Sequence, residues 1–202
     1  MKKRRKKEKR RENKVDKGLV KQYHQELSNS LLYFKLSSLV INLGYEGFYY
    51  FLKSHGYEEH EHAMKIYEYL IRNRIPITFH EIIEKDIGVG DFKKNFPLKI
   101  LRKSLQREKE NSRTFINLLR LSDQIEDFKS KTLLTWFINE QREEEALFKK
   151  YINMIEIGEF QLEEVDRLLL DEYKPSLKVS CKIKQNLNKG NKQTPFGKIP
   201  SM

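Results

Sequence analysis

Four stretches of this chain carry a stripe of mostly apolar side chains at alternating steps of three and four residues. No other feature constrains the fold as tightly. The first stripe runs Leu19, Tyr23, Glu26, Ser30, Tyr33, Ser37 and Val40. The second runs Phe48, Leu52, His55, Glu59, His62, Ile66 and Tyr69. The third passes from Leu98 and Leu101 through Leu105, Glu108, Ser112, Phe115 and Leu119 to Ser122. The fourth runs Leu134, Phe137, Gln141, Glu144, Phe148, Tyr151 and Ile155. Such steps keep each set on one face of an α-helix, the face that packs inside a bundle.

The breaks between stripes set the topology. Gly44 separates the first helix from the second, and Asp123–Glu126 contains the turn between the third and fourth. Connections this short imply antiparallel neighbours. Between the second and third lies the long stretch Asn73–Phe96, which holds Pro76, Gly88 and Gly90, while Pro97 suits the first turn of a helix. At about 3.3 Å per residue this connection can run the length of a bundle, which makes the second and third helices parallel. A short fifth helix is expected at Phe160–Glu172, after Gly158. The expected fold is all-α: a four-helix bundle with one long crossover and a short fifth C-terminal helix.

Each stripe is interrupted near its middle by groups foreign to an apolar core: Glu26, then Glu59 with His62, then Glu108, then Gln141 with Glu144. The spacing repeats, with 33 residues from Glu26 to Glu59 and 33 from Glu108 to Gln141, each followed at +3 by His62 or Glu144. One Glu on a helix stripe is ordinarily a boundary residue, and one Glu/His pair is ordinary surface chemistry. Four helices interrupted at one level is another matter, because buried carboxylates without partners cost several kcal/mol each. Concentrated negative charge of this kind calls for cations. Oxygen ligands with one imidazole and bridging carboxylates suit a pair of iron ions, with zinc or manganese as competitors. A carboxylate from each of two helices and a paired set from the others is the di-iron pattern of bundle cores.

Three segments then resemble a known family. Gln25-Glu-Leu-Ser-Asn-Ser-Leu-Leu-Tyr33, His55-Gly-Tyr-Glu-Glu-His-Glu-His62 and Asn139-Glu-Gln-Arg-Glu-Glu-Glu-Ala-Leu-Phe148 look like the ferroxidase helices of the bacterial non-haem ferritins, and Trp136 falls where that family usually has a tryptophan. The resemblance covers about residues 18–172. It implies a ferritin-like bundle in which Glu26, Glu59 and His62 hold a first iron ion and Glu59 bridges to a second. Glu108 and Glu144 complete the second site, Gln141 hydrogen-bonds nearby, and Tyr33 stands close enough to donate an electron or order the site. It further implies a third iron position at Glu58, Glu140 and Glu143, sharing Glu144. The haem-containing bacterioferritins fit less well. They have a Glu-x-x-His pair where this chain has Gln141-Arg-Glu-Glu144, and a haem methionine where His60 stands; no haem is expected. His60 itself reads as an outward-facing residue one position off the stripe.

The net charge of +11 over 202 residues is unevenly spread. Residues 1–14 contribute +8 and residues 174–202 contribute +7, leaving 15–173 with 23 basic and 27 acidic residues, a net of −4. Both basic ends lack apolar periodicity and read as disordered tails flanking the domain at 15–173. The single Cys181 excludes an internal disulfide or a thiolate metal site, and no apolar run approaches the roughly 20 residues of a membrane span. Gly88-Val-Gly90 is too short for a phosphate-binding fingerprint, and no Ser/His/Asp or Cys nucleophile arrangement is present. The expectation is therefore a cytoplasmic iron-storage ferritin with ferroxidase activity. It would take Fe(II) and dioxygen as substrates and, by the resemblance, assemble as a 24-subunit homo-oligomer that deposits mineral in a hollow shell. The alternative is a nucleic-acid-binding protein that acts through its basic tails on nucleic acid or another anionic surface.

Overall fold

The computed structural model describes residues 2–79 and 95–174, with side chains described from residue 14 onward. Four long helices form the body: α1 (Lys2–Asn42), α2 (Glu46–Arg72), α3 (Phe96–Asp123) and α4 (Phe128–Glu156). A fifth, α5, spans 162–174. It begins two residues later than Phe160–Glu172 predicts, and it includes the last described residue, Lys174. The last part of the crossover, 80–94, and the C-terminal segment 175–202 lie outside the described residues, so the expected disorder of that segment has no structural counterpart here.

The basic segment corrects one expectation. Residues 2–14 are helical and continuous with α1, where a disordered tail was expected. Lys, Arg and Glu are good helix formers, and no Pro or Gly interrupts them before Gly18. Extending an existing helix also adds one hydrogen bond per residue without a new nucleus. Among the residues whose side chains are described, Val15 is the first that is buried.

Two apolar clusters define the topology. One joins Leu36 and Val40 of α1, Phe48 and Leu52 of α2, Ile100 and Leu101 of α3, and Phe148 and Tyr151 of α4. The other joins Val15 and Leu19, Ala63 and Ile66, Phe115 and Leu118, and Leu134 and Phe137. Helices α2 and α3 both run from the first cluster to the second, so they are parallel, and α1 and α4 run the other way. The end of α2 and the start of α3 therefore lie at opposite ends of the bundle, about 40 Å apart for a helix of this length.

The short connections follow local chemistry. Gly44 adopts φ +89, the left-handed conformation that closes a helix, and the Tyr45 amide returns to the Val40 carbonyl. Asp127 caps α4 by accepting from the Ser130 amide at 3.2 Å. Helix α2 has no such local cap; its Phe48 amide instead donates to Asp166 Oδ1 of α5 at 2.9 Å. Val165 and Leu169 of α5 join the first apolar cluster. This docking depends on Gly47, where an added Cβ would collide with the Asp166 carbonyl oxygen and lie 2.8 Å from the Leu170 nitrogen. Gly47→Ala should lower stability by about 1–3 kcal/mol, the usual cost of overpacking, and loosen α5. Thermal unfolding together with limited proteolysis near residue 160 would test this.

Candidate metal centre

Between the two apolar clusters lies a polar layer. Helical periodicity brings Glu26, Asn29 and Tyr33 to one face of α1, and His55, Glu59 and His62 to one face of α2. Helix α3 contributes Glu108 and Asn111, and α4 contributes Gln141 and Glu144. Glu26, Glu59 and Glu108 are only 1–2% exposed, and Gln141 is 1% exposed. Glu144 is nearly as enclosed, with 12% of its side chain exposed. The four carboxylates thus meet at one level, where the stripe interruptions place them.

Two halves can be distinguished. Glu26, Glu59 and His62 offer ligand atoms that all lie within 4.8 Å of one another. His62 Nδ1 stands 4.0 Å from Glu59 Oε2, too far for a hydrogen bond and suited to an ion bonded to both at about 2.0–2.2 Å. Glu59 Oε2 is buried and has no hydrogen-bond partner. In the other half, the Gln141 amide donates to Glu108 Oε2 at 3.2 Å and to Glu144 Oε2, drawing the two carboxylates together. Tyr33 donates to Glu108 Oε1 at 2.5 Å. Glu144 Oε1 lies 3.6 Å from His62 Nδ1, which joins the halves.

The electrostatics follow from burial. Desolvation, then repulsion from Glu26 and Glu108, lifts the Glu59 carboxyl well above its ordinary range. Glu144 is lifted in the same way by desolvation and by Glu108 and Glu26. Glu26 and Glu108 are raised chiefly by desolvation, against hydrogen bonds that favour their ionised forms. Desolvation lowers the proton affinity of His62, leaving a neutral imidazole with a lone pair to offer. Burial and the neighbouring Glu108 keep Tyr33 a phenol, able to donate. The donor set of carboxylate oxygens and one imidazole matches a hard or borderline divalent ion.

The residues expected at a third position are placed differently. Glu58 is half-buried and held below the usual carboxylate range: desolvation raises it, but a hydrogen bond and the charge of His55, whose Nδ1 lies 3.0 Å away, outweigh this. Glu140 is half-buried and Glu143 exposed. Among the described residues, these three do not converge as Glu26, Glu59 and His62 do. His60 is exposed. Trp136 lies against the site, its ring 5.6 Å from that of His62.

Sequence reasoning missed the polar residues that hold these carboxylates. Gln22 donates to Glu26 Oε1 at 2.5 Å and to Asn111 at 3.1 Å. Asn29 donates to Glu26 at 3.4 Å and to Glu59 at 3.3 Å. Their signal was positional: Gln22 and Asn29 stand four before and three after Glu26, and Asn111 three after Glu108.

Comparison with known proteins identifies the family. A family model described as a ferritin-like domain matches residues 17–157. The chain belongs to that family. A bacterial non-heme ferritin from Staphylococcus aureus is 30% identical over 138 residues, covering 68% of this chain and 80% of the relative. One from Staphylococcus epidermidis is 27% identical over the same length. Among solved structures, an open-pore ferritin from the archaeon Archaeoglobus fulgidus superposes with a TM-score of 0.68 at 24% identity, covering 77% of this chain and 94% of that one. A humanized archaeal ferritin gives 0.69 at 24% identity, covering 78% and 95%. These two likenesses show the ferritin fold. Among the described residues, no helix is long and apolar enough to cross a membrane.

The raised carboxyls set the pH dependence of the iron-free protein. A folded-state pKa above the ordinary 4.5 means that the folded protein retains protons the unfolded chain has released. Stability contributed by these groups is absent above their folded pKa, appears as pH falls through it, and is complete below the unfolded value. The melting temperature of the iron-free protein should therefore rise as pH falls from neutrality towards the ordinary carboxylate range, less so in Glu59→Gln. Excess Zn(II) should reverse the trend, because binding needs ionised carboxylates. Differential scanning calorimetry across that range would check both.

Proposed function

We propose that this protein is an iron-storage ferritin that oxidises Fe(II) to Fe(III) within each subunit. The observation that carries the reading is the level of four enclosed carboxylates with an imidazole among them, one buried carboxylate oxygen of Glu59 lacking any partner. Iron is the substrate here. Glu26, Glu59 and His62 would bind the first Fe(II), with Glu59 bridging to a second held by Glu108 and Glu144. The ions' positive charge offsets the carboxylates, and each ion gives one electron to dioxygen. Gln141 keeps Glu108 and Glu144 side by side, and Tyr33 orders Glu108 through its hydroxyl. Glu58, Glu140 and Glu143, with Glu144, remain our assignment for a third iron position. The reading includes no haem and a cytoplasmic location.

Removing Glu59 takes a ligand from both ions and leaves neighbouring carboxylates uncompensated. Glu59→Ala should abolish the fast phase of Fe(II) oxidation, a loss of at least about tenfold, while circular dichroism stays helical. A wild-type initial rate in that variant would contradict the assignment.

Storage requires an enclosed space, so we also propose the 24-subunit shell implied by the family resemblance. Light scattering should report a particle of several hundred kilodaltons. A monomer of 24.3 kDa would exclude storage.

A second reading concerns residues 1–14, whose +8 charge falls on the segment that leads into the buried part of α1 at Val15. Repeated on every subunit, this charge would hold nucleic acid without sequence preference and release it as salt rises. Deleting residues 1–14 should abolish DNA retardation at low salt and leave iron oxidation unchanged. Gel retardation and oxidation kinetics on the same preparation separate the two activities.

A further inference from the structure

Arg107, on α3 immediately before Glu108, reaches across to α1, and its Nε donates to Asn29 Oδ1 at 2.5 Å. Gln25 Nε2 donates to the same oxygen at 2.9 Å. Two donors on Oδ1 decide which way the Asn29 amide faces, because a carboxamide nitrogen cannot accept them. Asn29 Nδ2 therefore points into the polar layer, where Glu26 Oε2 and Glu59 Oε1 lie within 3.4 and 3.3 Å. Asn29 is fully buried. Its hydrogen atoms bridge the two carboxylates that offer ligand atoms beside His62.

The arrangement is polarised in one direction. A guanidinium charge at the far end strengthens acceptance by Oδ1, and an amide so polarised donates more strongly to the carboxylates. The positive charge also favours the ionised form of Glu26 against its burial. The second half of the layer is held by other groups, Tyr33 on Glu108 and Gln141 on Glu108 and Glu144.

We propose that Arg107 and Asn29 form a clamp that positions the Glu26–Glu59 pair for the first metal ion before that ion arrives. Both are positioning residues, since neither offers an atom to the metal. The inference rests on the ferroxidase reading and adds residues outside its ligand set. Without Arg107 only Gln25 holds Oδ1, so the amide turns more readily and presents its oxygen to two carboxylates, which then separate. The loss appears in metal capture, and the chemistry after both ions have bound is unaltered.

The test is calorimetric titration of the iron-free, full-length protein with cobalt(II), alongside steady-state oxidation of Fe(II). In Arg107→Met the tighter cobalt(II) site should weaken about tenfold while the other holds, and KM for Fe(II) should rise by a similar factor with kcat unchanged. Arg107→Lys, which keeps the charge and one donor, should recover most of the affinity. Asn29→Ala, with Arg107 intact, should reproduce the loss. Wild-type cobalt(II) affinity in Arg107→Met would overturn the clamp, as would equal weakening of both sites that lysine fails to rescue. If Arg107→Met does not fold, Asn29→Ala decides, and wild-type affinity there overturns the proposal. Glu59→Ala run in parallel keeps the two claims apart: wild-type oxidation by that variant defeats the ferroxidase reading, whereas the clamp stands or falls on the cobalt(II) titrations.

Discussion

Four carboxylates gathered in the middle of a helical bundle repel one another in a medium that screens poorly, and the rest of the structure is arranged around that repulsion. Glu26, Glu59, Glu108 and Glu144 come from four different helices, so their mutual repulsion pushes the helices apart at one level. Apolar packing above and below opposes this. Leu36, Phe48, Leu101 and Phe148 close one end, and Leu19, Ile66, Phe115 and Phe137 the other. The polar layer is thus held between two apolar ones, with hydrogen bonds from Gln22, Asn29, Tyr33 and Gln141 sharing the load.

Topology serves the same end. Parallel α2 and α3 need a connection as long as the bundle, and that connection leaves every site-bearing segment on a long, regular helix. Ligands on helices are positioned more accurately than ligands on loops. Helix α5 lies outside the layer but secures it indirectly: Asp166 caps the start of α2, and α2 carries Glu59 and His62.

Much of this was legible in the residues themselves. Every member of the first stripe from Leu19 to Val40 is buried, polar interruptions included, because a 3.6-residue repeat fixes the inward face whatever occupies it. The ligand candidates Glu26, Glu59, His62, Glu108 and Glu144 meet for the same reason. Less legible was anything that depends on a neighbouring helix. Asn29 and Arg107 look like ordinary surface residues until α1 and α3 are placed side by side, and the Asp166 cap joins positions 118 residues apart. The basic residues 2–14 misled differently. Lack of apolar periodicity argues against a core, but it does not argue against a helix when Lys, Arg and Glu extend one already formed.

The central claim is that the buried charge of this layer is there to be met by two metal ions. Crystals soaked anaerobically in Fe(II) and measured at the iron absorption edge would test it most directly. The account predicts two anomalous peaks per subunit, about 3.5–4 Å apart, one beside Glu26 and His62, the other beside Glu108 and Glu144, with Glu59 between them. Iron found at surface carboxylates, with the layer empty and its four glutamates hydrogen-bonded as protonated acids, would contradict it.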